Sequence, residues 1–595
     1  MFNYQQYMKY FTILFCLLFI GCSTPKEKEN WETYYELSGF TQTPDYAETV
    51  AFCKRLAEYS EMVHYEVIGK SAAGYDIPML IIDKKHQFNP ETVRRRKKAV
   101  VMIQACIHAG EPDGKDAGFL LIRDLVIHNK YAELIDSTTI IFLPVLNPDG
   151  HLRFGENNRI NQNGPEEMGW RTNSNNLNLN RDYLKAETPE IQAWLKVFNN
   201  WLPDFVIDCH VTDGADYQYQ LTYGLETNGN MESNLTNWVT NTFEAKIVEQ
   251  MNNNNMPIFP YVMFNEWHNP LSGLVTFVSP PSLSTGYVAQ QNRAGLLIET
   301  HMLKDYKTRV NATFELLKLS LEIIDSERNN LIALNRNADD LAANETFRKT
   351  PFPINFKLNE NDTAYTEFLG VRYSITNSEL SNGAWFQYSD TAETFSLPIF
   401  KNNVPSVSVQ LPEAYIIQQE WKSVIQLLSL HNIHFKVLEK DTNIVVNLYK
   451  LTNVTFSNTP YEGKMRAFFD AEEFTDTVFY KTGSVVVPMN QRTARIIAYL
   501  LEPQAAGSLA YWGYFNAIFE QKEYAETYVM ENLAREMLRN DSLLAKEFEQ
   551  KKLNDKEFAN NSWEILNWFY HKSIYGDSYR NVYPIGRIMN NITFE

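Results

Sequence analysis

The chain has 595 residues, 44% of them hydrophobic and 21% charged, and carries a formal net charge of −18. A single hydrophobic core rarely grows beyond roughly 250 to 300 residues, so at least two domains are expected. The acidic balance argues against a nucleic-acid partner, which needs a basic face to neutralise phosphates.

Residues 1–22 read MFNYQQYMKYFTILFCLLFIGC, with Lys9 ahead of an apolar stretch that ends at Gly21 and Cys22. The stretch is too short for a membrane span, which needs roughly 20 apolar residues, and has the form of a signal-peptide core. The run FIGC followed by STPKEKEN is similar to a bacterial lipoprotein signal. It implies an exported chain held by a lipid on Cys22 at the cell envelope, on the periplasmic or the surface side of the outer membrane. An ordinary or uncleaved secretory signal is the alternative. Cys53, Cys106 and Cys209 remain and cannot all pair with one another; Cys106 and Cys209 fall in apparent core strands, so buried free thiols are expected.

YEVIGKSAAGYDIPMLIID, residues 65–83, alternates apolar and polar positions around a glycine turn and predicts a hairpin. From residue 99 apolar strands alternate with amphipathic helices. AVVMIQACI predicts a strand, GKDAGFLLIRDLVIH a helix and TTIIFLPVLN a strand. TPEIQAWLKVFNNWL predicts a helix capped by Thr188 with Pro189 at its first position. DFVIDCHV is read as a strand, ESNLTNWVTNTFEAKIVEQM as a helix, GLLIET as a strand, and 308–337 as a long helix. Apolar strands separated by helices predict an α/β fold: a mixed, mostly parallel sheet covered by helices on both faces. Sites in such sheets lie beyond the carboxyl ends of strands, where His108, His210 and Glu299 fall. After about residue 345 short alternating strands predominate, and helical stretches return at 413–432, 490–502 and 509–570. The organisation expected is a signal over 1–22, a catalytic domain over 23–345, and a β-rich then mixed α/β and helical accessory region over 346–595.

His108 and Glu111 in QACIHAGEPDG, with His210 in IDCHVTDG, offer three metal ligands, the number a catalytic zinc takes while keeping one place open for water. An isolated HxxE is weak. It is followed in order by LNPDG, GWRTN, NLNRDY, the second histidine and LLIETH. This ordered set, from about residue 60 to 310, resembles the zinc carboxypeptidases of the M14 family.

The resemblance implies one zinc ion held by His108, Glu111 and His210, with Arg171 stabilising the oxyanion and Glu299 acting as general base. Asn180 and Arg181 match the pair that grips a substrate's terminal carboxylate, so the implied substrate is a peptide with a free C-terminus. Asn178 stands where the family usually has an aspartate that orients a zinc-bound histidine. Tyr287 is the candidate for the tyrosine that covers the substrate, although it lies nearer the glutamate than the family's spacing; a packing role is equally open to it. Arg293, in the same stretch, is open to binding substrate or to making an ion pair, the latter favoured. His151, His268 and His301 neighbour the site segments and are open to lining the pocket, a satisfied or exposed histidine being the favoured reading of each. Hydrolysis of cell-wall peptides with D- or γ-linked residues is an alternative on the same site. A non-catalytic nutrient-binding lipoprotein, suggested by GAWFQY and AYWGYF, is a further alternative, disfavoured by the intact catalytic set.

Overall fold

The structure, a computed structural model, describes residues 30–359, 361, 363–401 and 403–590. The expected lipoprotein signal and Cys22 lie outside these residues. No helix among the described residues is long and apolar enough to cross a membrane.

The hairpin forms as expected, β1 (Val63–Lys70) pairing antiparallel with β2 (Asp76–Ile82). It is followed by β3 (Ala99–Gln104), helix α1 (Asp113–Val126), β4 (Thr138–Leu143), α2 (Pro189–Trp201) and β5 (Phe205–Thr212). Next come β6 (Leu221–Leu225), β7 (Phe259–Pro260), β8 (Met263–Glu266), β9 (Asn269–Val275), α3 (Ser284–Gln290), β10 (Ala294–His301) and the long helix α4 (Tyr306–Ala343). One eight-stranded sheet runs β1-β2-β4-β3-β5-β10-β6-β7. Its centre, β4-β3-β5-β10, is parallel, and antiparallel pairs flank it on both sides.

Strands β3, β4 and β5 are buried along their whole length, and alternate residues feed two separate cores. Val101, Ile103, Ile140, Ile207 and Ile298 pack beneath α1 and α4. Val100, Met102, Ile141 and Val206 pack on the other face with Ile191, Leu195 and Phe198 of α2, whose spacing makes an apolar stripe. Thr188 occupies the N-cap of α2 without capping it; its hydroxyl donates to Asp182 at 2.6 Å. The helix expected over 232–251 contains a π-helical turn at Val239–Glu244. Cys53, Cys106 and Cys209 are free and buried.

Beyond α4 lie β11 (Phe352–Leu358), β12 (Ala364–Asn377), β13 (Ala384–Phe400), β14 (Asn403–Val409) and β15 (Ala414–Ile417). They are followed by β16 (Lys436–Val437), β17 (Thr442–Phe456), β18 (Ala467–Tyr480), β19 (Val485–Pro488) and β20 (Ile585–Ile588). The stretch 413–432, expected to be helical, opens with β15, a fully buried strand paired on both edges with β19 and β20. Only Lys422–Leu430 is helix. A four-residue apolar run carries no periodicity that separates strand from helix.

Two features cross the division expected at residue 345. Strand β9 joins β13 in a second sheet, with Leu274 opposite Ile399. The core beneath α2 also runs on without a break into Tyr415, Val487, Ile497 and Ile585, so the six-stranded sheet β16-β19-β15-β20-β17-β18 shares the apolar interior of the central sheet.

Candidate active site

The site is assembled at the carboxyl ends of the parallel strands. After β3 the chain passes through Cys106 at φ 53°, a left-handed conformation that costs a non-glycine residue energy and is kept only where surrounding structure enforces it. A turn then closes from the Glu111 amide to the His108 carbonyl at 2.9 Å, bringing both side chains to one side. A Cβ on Gly114 would lie 2.2 Å from Cys209 Cβ. Glycine there lets the start of α1 approach β5 and brings Glu111 up to His210. On the sheet itself, His210 and Glu299 are direct partners on adjacent parallel strands, so their side chains emerge on the same face.

His108 Nδ1 is 3.1 Å from Glu111 Oε2, His210 Nδ1 is 2.9 Å from the same oxygen, and the two Nδ1 atoms are 3.2 Å apart. The far nitrogen of each imidazole meets an acceptor: His108 Nε2 lies 2.9 Å from Asn178 Oδ1, and His210 Nε2 lies 2.9 Å from Asp208 Oδ2. With a proton on each Nε2, both Nδ1 lone pairs point at the Glu111 carboxylate, and three electron-rich atoms face one another in a buried place. A metal cation shared by the three atoms relieves that repulsion, as does a proton on one Nδ1 donating to Glu111 Oε2; although burial opposes it, Asp208 and Glu111 hold the His210 imidazole well above its ordinary range. A buried His, His, carboxylate set of borderline nitrogen and hard oxygen donors fits zinc.

Two arginines hold the other oxygen of Glu111, Arg159 Nη2 at 2.8 Å and Arg171 Nη1 at 3.2 Å. Arg171 keeps 43% of its side-chain surface exposed and faces the cavity above the donors. That cavity, of about 470 Å³, is also lined by Arg159, Thr212, Tyr261 and Glu299. Glu299 Oε2 is buried with no hydrogen-bond partner. Burial pushes the Glu299 carboxyl up to about 8, with His210 opposing the rise and Glu111 and Asp208 adding to it.

The structure therefore brings His108, Glu111, His210, Arg171 and Glu299 to one cavity. Asn180 and Arg181 stand beside it rather than in its lining. The Asn180 amide faces inward, its Nδ2 3.3 Å from His210 Nε2 and its Oδ1 accepting from the Ser284 amide at 3.0 Å. Arg181 donates from Nε to the Tyr461 hydroxyl at 3.0 Å and from Nη1 to the Asn180 carbonyl at 2.6 Å. Tyr461 and Glu462, which accepts from the Asn178 amide at 2.8 Å, belong to the loop between β17 and β18, so the C-terminal sheet borders the site.

Tyr287 does not reach the cavity. It is wholly buried in α3, its hydroxyl 2.8 Å from His431 Nδ1 and accepting from Gln291 Nε2 at 2.7 Å. The ring of Tyr287 packs in the core, and the tyrosine that lines the cavity is Tyr261. Arg293 pairs with Asp339 at 2.9 Å, and neither His151, His268 nor His301 lines the cavity.

Sequence reasoning passed over three residues of this site. Asp208 was readable, because residues two apart on a strand share a face and IDCH places a carboxylate beneath His210. Arg159 and Tyr261 lie in irregular segments whose composition carries no such signal.

An open-sided set of three buried donors beside an unpartnered carboxylate defines a metallohydrolase centre. Residues 49–223 match the profile of the zinc carboxypeptidase family, peptidase M14. That stretch carries the domain of this family, and with the carboxypeptidase relatives it marks the chain as a metallopeptidase. It is 21% identical over 513 residues to carboxypeptidase 2 of Trichophyton rubrum, covering 80% of this chain and 84% of that protein. It is 29% identical over 199 residues to carboxypeptidase M of Mus musculus, covering 31% of this chain and 41% of that one. Among solved structures, carboxypeptidase A from Helicoverpa armigera aligns with 20% identity and a TM-score of 0.36 over 48% of this chain and 75% of that one.

Proposed function

We propose that this protein is a zinc metallocarboxypeptidase that removes C-terminal residues from peptides, exported and held at the bacterial cell envelope by a lipid on Cys22. The observation that carries the catalytic reading is the convergence of His108 Nδ1, Glu111 Oε2 and His210 Nδ1 within one cavity with the unpartnered Glu299 Oε2. His108, Glu111 and His210 would hold zinc, which would supply a water of strongly lowered pKa and a Lewis acid for the scissile carbonyl. Glu299 takes the water's proton and returns it to the leaving amine; a carboxyl that burial holds high is suited to carry a proton near neutral pH. Arg171 donates to the oxygen on which negative charge develops. Arg181 receives the terminal carboxylate of the substrate, for which a planar guanidinium fork is suited.

The test is mass spectrometry of a peptide mixture, each member present with a free and an amidated C-terminus, after incubation with zinc-loaded protein lacking residues 1–22. Loss of single C-terminal residues from the free-acid members alone is the expected result. Internal cleavage, or intact peptides throughout, would overturn the reading.

Two further results are expected. Arg171→Ala lowers kcat by about 10²- to 10³-fold, the usual loss for one donor to a developing oxyanion, and moves KM far less, because the charge Arg171 meets is absent in the ground state. A loss confined to KM would place Arg171 in ground-state binding instead. Asp208→Asn weakens zinc affinity about 10- to 100-fold by removing the charged acceptor that orients His210. Competition against a chromogenic chelator measures this, and an unchanged affinity would leave Asp208 a packing residue.

A further inference from the structure

One edge of the site is finished by a turn from the far end of the chain. Between β17 and β18, Tyr461 and Lys464 exchange backbone bonds of 3.0 Å in both directions across Glu462 and Gly463. Both central residues have positive φ, 49° and 72°, as a two-residue type I′ turn requires. The turn is fastened on three sides. The Tyr461 ring lies parallel to Trp512 with centroids 6.0 Å apart, and the Arg466 guanidinium stands 4.6 Å from its centre. Glu462 accepts from the Asn178 amide at 2.8 Å, and Lys464 pairs with Glu187 at 2.5 Å. Asn178 and Glu187 stand on either side of Arg181 in the chain, so these bonds set the turn over that arginine.

Arg181 has few other holds. It ends a short 3-10 segment, Leu179–Arg181. Its Nη1 returns to the neighbouring Asn180 carbonyl at 2.6 Å and its Nε donates to the Tyr461 hydroxyl at 3.0 Å; among the described residues Nη2 donates to no protein group. A guanidinium with a free nitrogen is a ready receptor for an anion, once its long side chain is held. Ordering such a side chain costs entropy, and a receptor already ordered avoids that cost when its ligand arrives. The Tyr461 hydroxyl, carried on a clamped ring, supplies this order.

We propose that Tyr461 is a positioning residue: it holds Arg181 ready for the C-terminal carboxylate of the substrate, and through it the C-terminal region takes part in substrate binding. This rests on the carboxypeptidase reading above and names the side chain by which the C-terminal sheet serves that site.

The test is a double-mutant cycle. Steady-state kcat and KM on a peptide with a free C-terminus are measured for zinc-loaded wild type, Tyr461→Phe, Arg181→Ala and the double variant. Phenylalanine keeps the ring on Trp512 and beside Arg466 and removes the hydroxyl alone. Tyr461→Phe is expected to raise KM about three- to tenfold, the usual effect of leaving one rotamer-rich side chain to be ordered on binding. It should leave kcat nearly unchanged, because the carboxylate is gripped alike in the ground and transition states. In the Arg181→Ala background the same substitution should have no effect. An unmoved KM, a loss confined to kcat, or an equal loss with Arg181 already removed overturns the proposal.

A second arm is independent of turnover. Calorimetric binding of the same peptide, free and amidated at its C-terminus, is measured on zinc-loaded Glu299→Gln protein with and without Tyr461→Phe. Binding of the free acid should weaken about three- to tenfold while that of the amide stays the same; an equal change in both, or none, overturns the proposal. If the wild type cleaves nothing, the carboxypeptidase reading fails by itself, and this arm still decides the role of Tyr461.

Discussion

Glu299→Gln is expected to lower kcat by about 10²- to 10⁴-fold, the usual share of a positioned proton-transfer group, with zinc still bound at one ion per chain. The amide has nearly the shape of the carboxylate, and Glu299 is not among the three atoms that converge on the metal position, so neither the fold nor the donor set has reason to change. What is lost is the ability to accept a proton. The carboxylate sits opposite His210 on the neighbouring strand with one oxygen free of any protein partner. The cavity lining holds one further carboxylate outside the donor set, Asp213, so Asp213→Asn serves as the control and should leave kcat within a few-fold of wild type. Steady-state kinetics paired with elemental analysis of the purified variant gives both readouts. A variant retaining more than about a tenth of wild-type kcat would mean that another group moves the proton. A variant that had also lost its zinc would mean that Glu299 is a ligand rather than a base.

How far this site was readable in the sequence depended on how its residues are held. His108, His210 and Glu299 end strands whose apolar runs are unmistakable, and the motif order around them resembles one family, so their convergence was expected before any coordinates. Asp208 carried a signal of the same kind, a two-residue spacing on a strand. Tyr287 precedes Glu299 more closely than the family's spacing, and helix α3 turns its ring into the core beneath α2 and against His431. The residue that faces the cavity, Tyr261, arrives from an irregular segment whose backbone is fixed by a bond from its amide to the Tyr223 carbonyl at 2.7 Å. Least readable were Tyr461 and Glu462. They touch Arg181 and Asn178 only because the C-terminal sheet packs into the apolar interior of the central one, and no local pattern reports a contact across nearly 300 residues of chain. The same long-range packing decides β15, whose four apolar residues become strand because β19 and β20 pair with both of its edges.

His210→Ala is expected to abolish both zinc binding and peptide hydrolysis, and to remove the thermal stabilisation that zinc gives the wild type. The two Nδ1 atoms and Glu111 Oε2 lie within 3.2 Å of one another, close enough to share one metal ion. Asp208 and Glu111 favour a proton on His210, so metal uptake is expected to displace it and release acid. Zinc that binds the folded but not the unfolded chain stabilises by RT ln(1 + [L]/Kd), about 2.7 kcal/mol at a free concentration of 100 Kd. The wild type should therefore melt several degrees higher with zinc than after chelation, and calorimetry should record proton uptake by the buffer on titration with the metal. In the alanine variant one donor is gone, and Asp208 loses the imidazole it holds. Two remaining donors do not make a catalytic zinc site, so chelator and zinc should give the same melting temperature and no proton release. A His210→Ala protein that kept one zinc per chain, or a wild type whose melting point ignored zinc altogether, would show that this cluster is not a zinc site.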